Sequence, residues 1–131
     1  NFKKMNIYGI GTDIVDVNRI KKSSKNKIFI KRIFNQQEVL KCKKASETQN
    51  CYAKRFAAKE AFAKALGTGI AKGINFNEII VLNKTTGKPY IVLSGQTKKI
   101  FKKKFKNKKP KISLSISDEK KYAVAFVTIS L

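Results

Sequence analysis

Eight acidic residues stand against 30 basic ones in this 131-residue chain. A carboxylate in an apolar setting is therefore conspicuous, and there are two. Asp13 lies between Thr12 and Ile14 in the run IYGIGTDIVDV, Ile7 to Val17. Glu60 lies inside RFAAKEAFAKALGTGI, Arg55 to Ile70, where Phe56, Ala63, Lys64 and Gly67 share its face at helical spacing. A carboxylate among apolar groups is costly unless something pairs with it. The chain has no histidine, and Cys42 and Cys51 lack the spacing of a zinc site. Two carboxylates alone suit a hard cation such as Mg²⁺, which takes one or two of them together with water and substrate phosphates. Lys64, one turn beyond Glu60, adds a positive charge to the same place. Two plainer readings stay open on these residues. Glu60 and Lys64 form an ordinary i,i+4 helix pair, worth a few tenths of a kcal/mol, or Asp13 is a buried helix cap.

The elements that hold these residues follow from the pattern around them. The run from Ile7 is β-branched and reads as a strand running into a turn or helix start. Gly9 and Gly11 within it mark a bulge or a close backbone approach; a lone Gly-X-Gly is a weak phosphate motif. KSSKNK, Lys22 to Lys27, reads as a loop. QQEVLKCKKA is helical from Gln36, and a second helix runs from near Cys51 to Leu66 and stops at Gly67. EIIVL and PYIVL flank NKTTGK, whose Gly87 turns a hairpin. Ser94 to Lys106 sets Thr97, Ile100, Phe101 and Phe105 on one side and lysines on the other, an amphipathic helix. KNKKPK, Lys106 to Lys111, reads as a linker. ISLSIS and YAVAFVTIS form a last hairpin, whose second strand is apolar on both faces and so central. Helices and strands mix without βαβ alternation, which predicts an α+β fold in one domain spanning residues 1–131.

The net charge of +22 points to an anionic partner or to a compositional bias, since only Arg19, Arg32 and Arg55 among the 30 cations are arginine. A small basic nucleic-acid-binding module is the rival from another class, using the lysine-rich helix with Phe101 and Phe105. Those phenylalanines have core spacing and no nucleic-acid motif is present, so no nucleic-acid partner is expected. No apolar run approaches the roughly 18 residues that span a bilayer, so no membrane insertion is expected. Two cysteines without a framework read as reduced thiols in a reducing compartment. The expected compartment is the cytoplasm, or a plastid-type organelle if a targeting segment preceded Asn1.

GIGTDIVDVNRI at Gly9 to Ile20 and RFAAKEAFAKALGTGI at Arg55 to Ile70, about 45 residues apart, together resemble the holo-acyl-carrier-protein synthase family of 4′-phosphopantetheinyl transferases. The resemblance continues through GINFNEIIVLNKTTGKPYIVL and SLSISDEKKYAVAFV, leaving out Asn1 to Asn6 and the lysine-rich stretches. It implies transfer of the phosphopantetheine arm of coenzyme A to a serine of an acidic acyl carrier protein, with release of 3′,5′-ADP, in fatty acid biosynthesis. It implies Mg²⁺, with Mn²⁺ as a substitute, held by Asp13 and Glu60. Lys64 falls on the family's phosphate-contacting lysine, and Arg55 on its coenzyme-A-contacting arginine. Gly67, Thr68 and Gly69 fall on the turn near the nucleotide, and Arg19 on the carrier-protein contact. The implied assembly is a homotrimer with active sites between subunits. Many members carry a histidine in the last hairpin; Asp118 stands there in this chain, which changes how that end of coenzyme A is held.

Overall fold

In the computed structural model, which describes residues 4–106 and 108–131, the chain is built around one long helix. The element order is β1 (Ile7–Asp16), α1 (Val17–Ser23), α2 (Lys27–Ile33), α3 (Gln36–Lys44), α4 (Thr48–Leu66), a 3₁₀ turn (Phe76–Glu78), β2 (Ile79–Asn83), β3 (Pro89–Leu93), α5 (Gly95–Phe105), β4 (Lys111–Asp118) and β5 (Tyr122–Ser130). Thirteen of the 19 residues of α4 are buried, so this helix has no solvent face to speak of and forms the centre of the core. Its alanines (53, 57, 58, 61, 63 and 65) keep it thin, and neighbours close on it from several sides. Gly67, in the left-handed conformation at φ 89°, ends it and donates back to the carbonyls of Ala63 and Lys64.

β1, β5 and β4 form a three-stranded antiparallel sheet in the order β1-β5-β4. β5 is central, as its apolar run predicts. Ala123, Ala125, Val127 and Ile129 of β5 are buried against α4. The opposite side of the same sheet exposes Ile10 (61%), Ile14 (65%) and Phe126 (44%). β2 and β3 pair with each other as a separate two-stranded antiparallel sheet. The result is the predicted α+β architecture. Of the predicted linker from Lys106 to Lys111, Asn107 lies outside the described residues.

Three sequence readings need correction. Lys22 and Ser23 belong to α1 and Lys27 begins α2, so the predicted loop shrinks to its middle. Asn26 caps α2 by accepting from the amides of Ile28 and Phe29, and Phe29 stacks on Phe56 at 6.3 Å. The lysines flanking that short helix masked its apolar stripe. Glu78 is not in β2; it reaches the start of α5 instead, accepting from the amides of Gln96 (3.0 Å) and Thr97 (3.1 Å) and from the Thr97 hydroxyl (2.8 Å). Cys42 and Cys51 are not two separate thiols but a disulfide joining α3 to α4, with Cα atoms 5.3 Å apart. A nine-residue separation gives no pairing signal in the sequence, whereas packing α3 against the start of α4 brings the two together.

Candidate active site

The site begins with the glycines of β1. A Cβ on Gly9 would meet the Ala65 carbonyl oxygen at 1.9 Å, and one on Gly11 would meet that of Ala61 at 1.9 Å. No side chain fits at either position, so β1 lies directly on the backbone of α4. Both alternatives raised by these glycines hold, since the β1–β5 register also shifts between Ile7 and Gly9. Two residues further along the same face, Asp13 is delivered against α4. Lys64 donates to the Asp13 carboxylate at 3.2 Å and to the Thr12 carbonyl at 2.9 Å.

This arrangement decides between the plainer readings. Asp13 is mid-strand and caps nothing; Asp16 is the cap of α1, accepting from the amides of Asn18 and Arg19. Lys64 pairs with Asp13 across the interface between elements rather than with Glu60 along the helix. Burial, and then the like charge of Asp13, hold the Glu60 carboxyl above the usual carboxylate range, while Lys64 and Arg19 pull it back. Asp13, Glu60, Lys64 and Arg19 therefore form one electrostatic group at the junction of β1, α1 and α4. Its donor set fits a hard dication: two carboxylates that repel each other, and oxygen chemistry throughout. Among the described residues no cluster of three or more His, Cys, Asp or Glu offers a metal site, so water and phosphate oxygens must complete any coordination here.

Arg55 and Asp118 are elsewhere. They line a cavity of about 560 Å³ with Lys41, Asn50, Lys54, Asn83 and Lys84. Arg55 is buried at 5% exposure and donates to Asn83 Oδ1 (2.8 Å) and to the Cys51 sulfur (3.2 Å). Burial lowers its pKa and Glu38 opposes that shift. Among the described residues its Nε has no hydrogen-bond partner, a buried donor left over beside the cavity. Asp118 accepts from Asn50 Nδ2 at 2.9 Å and lies 4.0 Å from Lys54 Nζ, so its charge is spent on the cavity's own walls. Lys41, Lys54, Lys84 and Arg55 against Glu47 and Asp118 leave the lining net positive, which favours an anion.

Gly67, Thr68 and Gly69 lie beyond Lys64 at the end of α4 and do not line that cavity. Thr68 donates to the Gly69 carbonyl, and Gly69 N–H to that of Ala63. The fold thus brings Asp13, Glu60, Lys64 and Arg19 together and leaves Arg55 with Asp118 apart. Nine residues separate Arg55 from Lys64, two and a half turns, which puts them on opposite sides of α4 and about 14 Å apart along it. Lys41, Lys54, Lys84, Asn50 and Asn83 were not singled out by sequence. The three lysines carry no signal in a chain this rich in lysine; Asn83, polar at the end of an apolar run, was the one visible cue.

The profile of the 4′-phosphopantetheinyl transferase superfamily matches residues 9–127. The holo-[acyl-carrier-protein] synthase of Pelagibacter ubique (strain HTCC1062) is 53% identical over 125 residues, covering 95% of this chain and 98% of the relative. The crystal structure of the corresponding synthase from Neisseria meningitidis superposes with a TM-score of 0.85 at 40% identity, covering 95% of this chain and 98% of that one. The Bacillus anthracis synthase, solved in complex with CoA (3′,5′-ADP), superposes with a TM-score of 0.78 at 39% identity over 97% of this chain and 98% of its own. With the Asp13–Lys64 contact, the glycine-mediated approach of β1 to α4 and a profile match over most of its length, the chain belongs to the 4′-phosphopantetheinyl transferase superfamily.

Proposed function

We propose that the chain is a holo-acyl-carrier-protein synthase. In the proposed reaction the serine hydroxyl of apo acyl carrier protein attacks the coenzyme A phosphorus that carries the pantetheine arm. The phosphorus–oxygen bond to the nucleotide breaks and 3′,5′-ADP leaves. The observation that carries this reading is the Asp13–Glu60–Lys64 group, held in place by the contact of β1 with α4. Asp13 and Glu60 would hold Mg²⁺, which when bound stabilises the charge developing on the pyrophosphate. Lys64 adds a second positive charge at the same phosphates. A water held near Glu60 takes the serine proton. Arg19, exposed on α1 beside this group, faces the acidic carrier. The cavity around Arg55, Lys41, Lys54 and Lys84 takes the phosphorylated nucleotide end of coenzyme A, with Asp118 positioning Lys54.

We also propose the homotrimer, on two grounds. Arg55 and Lys64 project from opposite sides of one helix, so one coenzyme A reaches both types of residue only between neighbouring subunits. The exposed Ile10, Ile14 and Phe126 supply an apolar sheet face for such contact. Release of 3′,5′-ADP that depends on added apo-carrier protein tests the reaction. Coexpression of an Arg55→Ala chain with a Lys64→Ala chain tests the assembly. Shared sites recover about a quarter of wild-type activity, the chance that adjoining subunits each contribute their intact side; sites confined to one chain recover none.

A further inference from the structure

We infer that the Glu38–Lys59 pair is a positioning clamp, which docks the β2–β3 hairpin onto α4 and thereby sets the wall of the nucleotide cavity. Both side chains are completely buried. Lys59 Nζ donates to Glu38 Oε1 at 2.7 Å, to the Phe76 carbonyl at 3.0 Å and to the Ile79 carbonyl. Glu38 also accepts from the amides of Asn35 (3.0 Å) and Val81 (3.1 Å). All three ammonium donors are used, and the carboxylate serves three donors from three elements. With both side chains fully buried, neither reaches a substrate, so the pair acts through what it holds. Lys59 adjoins Glu60 in sequence but lies about 100° around the helix from it, facing the hairpin instead of β1.

The hairpin needs such a clamp because β2 has a strand partner on one edge only. Its other edge presents the Ile79 carbonyl and the Val81 amide to the interior, where backbone groups must be satisfied. Lys59 and Glu38 take the place of the missing strand. The same hairpin carries Asn83, which accepts from Arg55, and Lys84, which lines the cavity. Loosening the clamp therefore moves Asn83 and Lys84 relative to Arg55. Asp13 and Lys64, on β1 and the far side of α4, stay where they are.

The test is the paired variant Lys59→Met/Glu38→Gln, which removes both charges and so avoids stranding one in the core. The affinity for 3′,5′-ADP is measured by calorimetry, with kcat and the KM for coenzyme A and for carrier protein. The clamp predicts that the dissociation constant for 3′,5′-ADP and the KM for coenzyme A rise roughly tenfold, while kcat and the carrier KM change less than about threefold. Combining the pair with Asn83→Ala must give less than the product of the two separate losses, since both act on the same wall. If the paired variant does not hold its fold, Lys59→Met alone gives the same comparison, since the Glu38 carboxyl left behind keeps the amides of Asn35 and Val81. A folded variant with unchanged 3′,5′-ADP affinity, or one whose loss falls on kcat, overturns the clamp. The inference rests on the cavity taking the nucleotide end of coenzyme A; a wild-type protein that does not bind 3′,5′-ADP overturns that reading instead.

Discussion

Gly11→Ala should disable the chain while changing no group that touches substrate. The added Cβ would lie 1.9 Å from the Ala61 carbonyl oxygen and 2.7 Å from the Ala65 amide nitrogen, against 3.4 Å or more for an ordinary contact. Both neighbours are backbone in the C-terminal part of α4, so no flexible side chain can give way. β1 must lift by about 1.5 Å, since packed interiors do not absorb such an overlap. Overpacking of this kind costs about 1–3 kcal/mol of stability. The larger effect falls on the site. Asp13 is two residues away on the same strand, and its 3.2 Å contact with Lys64, with the 2.9 Å contact from Lys64 to Thr12, depends on that spacing. A displacement of about 1 Å in positioned catalytic groups costs on the order of 100-fold in rate. The assay is kcat for carrier modification, with denaturant unfolding of the same protein. Phe101→Leu, a buried residue of α5 that packs on Phe62 and Phe105 and touches neither Gly11 nor Asp13 in those contacts, serves as a control for destabilisation alone. A folded Gly11→Ala protein within about twofold of wild-type kcat would show that the β1–α4 approach does not position the chemistry.

The metal assignment predicts that Asp13→Asn and Glu60→Gln each remove most turnover and leave the fold intact, and that chelation stops the wild type until Mg²⁺ or Mn²⁺ is restored; activity persisting after exhaustive chelation rules it out. Arg19→Ala should chiefly raise the KM for carrier protein, an exposed pair being worth roughly 1 kcal/mol, whereas Lys64→Ala should chiefly lower kcat. Carrier affinity lost instead on changing several α5 lysines to glutamine would place the partner surface wrongly. Burial raises the Glu78 carboxyl, but the hydrogen bonds from Asn75, Thr97 and Gln96 outweigh it and leave the group below its ordinary range. Its stabilising contribution is thus full above about pH 4.5 and lost as pH falls through the folded value. Glu78→Gln should cost about 1 kcal/mol at neutral pH and flatten that acid dependence in denaturant titrations; an unchanged acid limb contradicts the cap. Thiol counting in denaturant should find no free cysteine before reduction and two after it; two beforehand would exclude the Cys42–Cys51 bridge.

What the sequence revealed, and what it hid, follows from how local each signal is. β1, α4 and α5 were legible because alternation, alanine content and helical spacing are read within one segment. Gly67 as the end of α4 was legible for the same reason. The chemistry at Asp13 and Glu60 stood out because acidic residues are scarce. The partner of Lys64 could not be read, since i,i+4 spacing points to Glu60 and only the β1–α4 approach selects Asp13. The Glu38–Lys59 pair was hidden because each residue looks like ordinary helix surface until three elements meet around it. Cys42 and Cys51 reflect the same limit: their pairing comes from the packing of α3 on α4. The cavity lysines drown in a background where most cations are lysine.

The most direct test is the intact mass of an apo-acyl carrier protein after incubation with this protein, coenzyme A and Mg²⁺, run beside Lys64→Ala and Gly11→Ala proteins. The carrier should gain the mass of one phosphopantetheine with wild type, far more slowly with either variant, and not at all once its acceptor serine is changed to alanine. A carrier that keeps its mass with wild type, while a known transferase modifies it in the same mixture, would contradict the account at its centre.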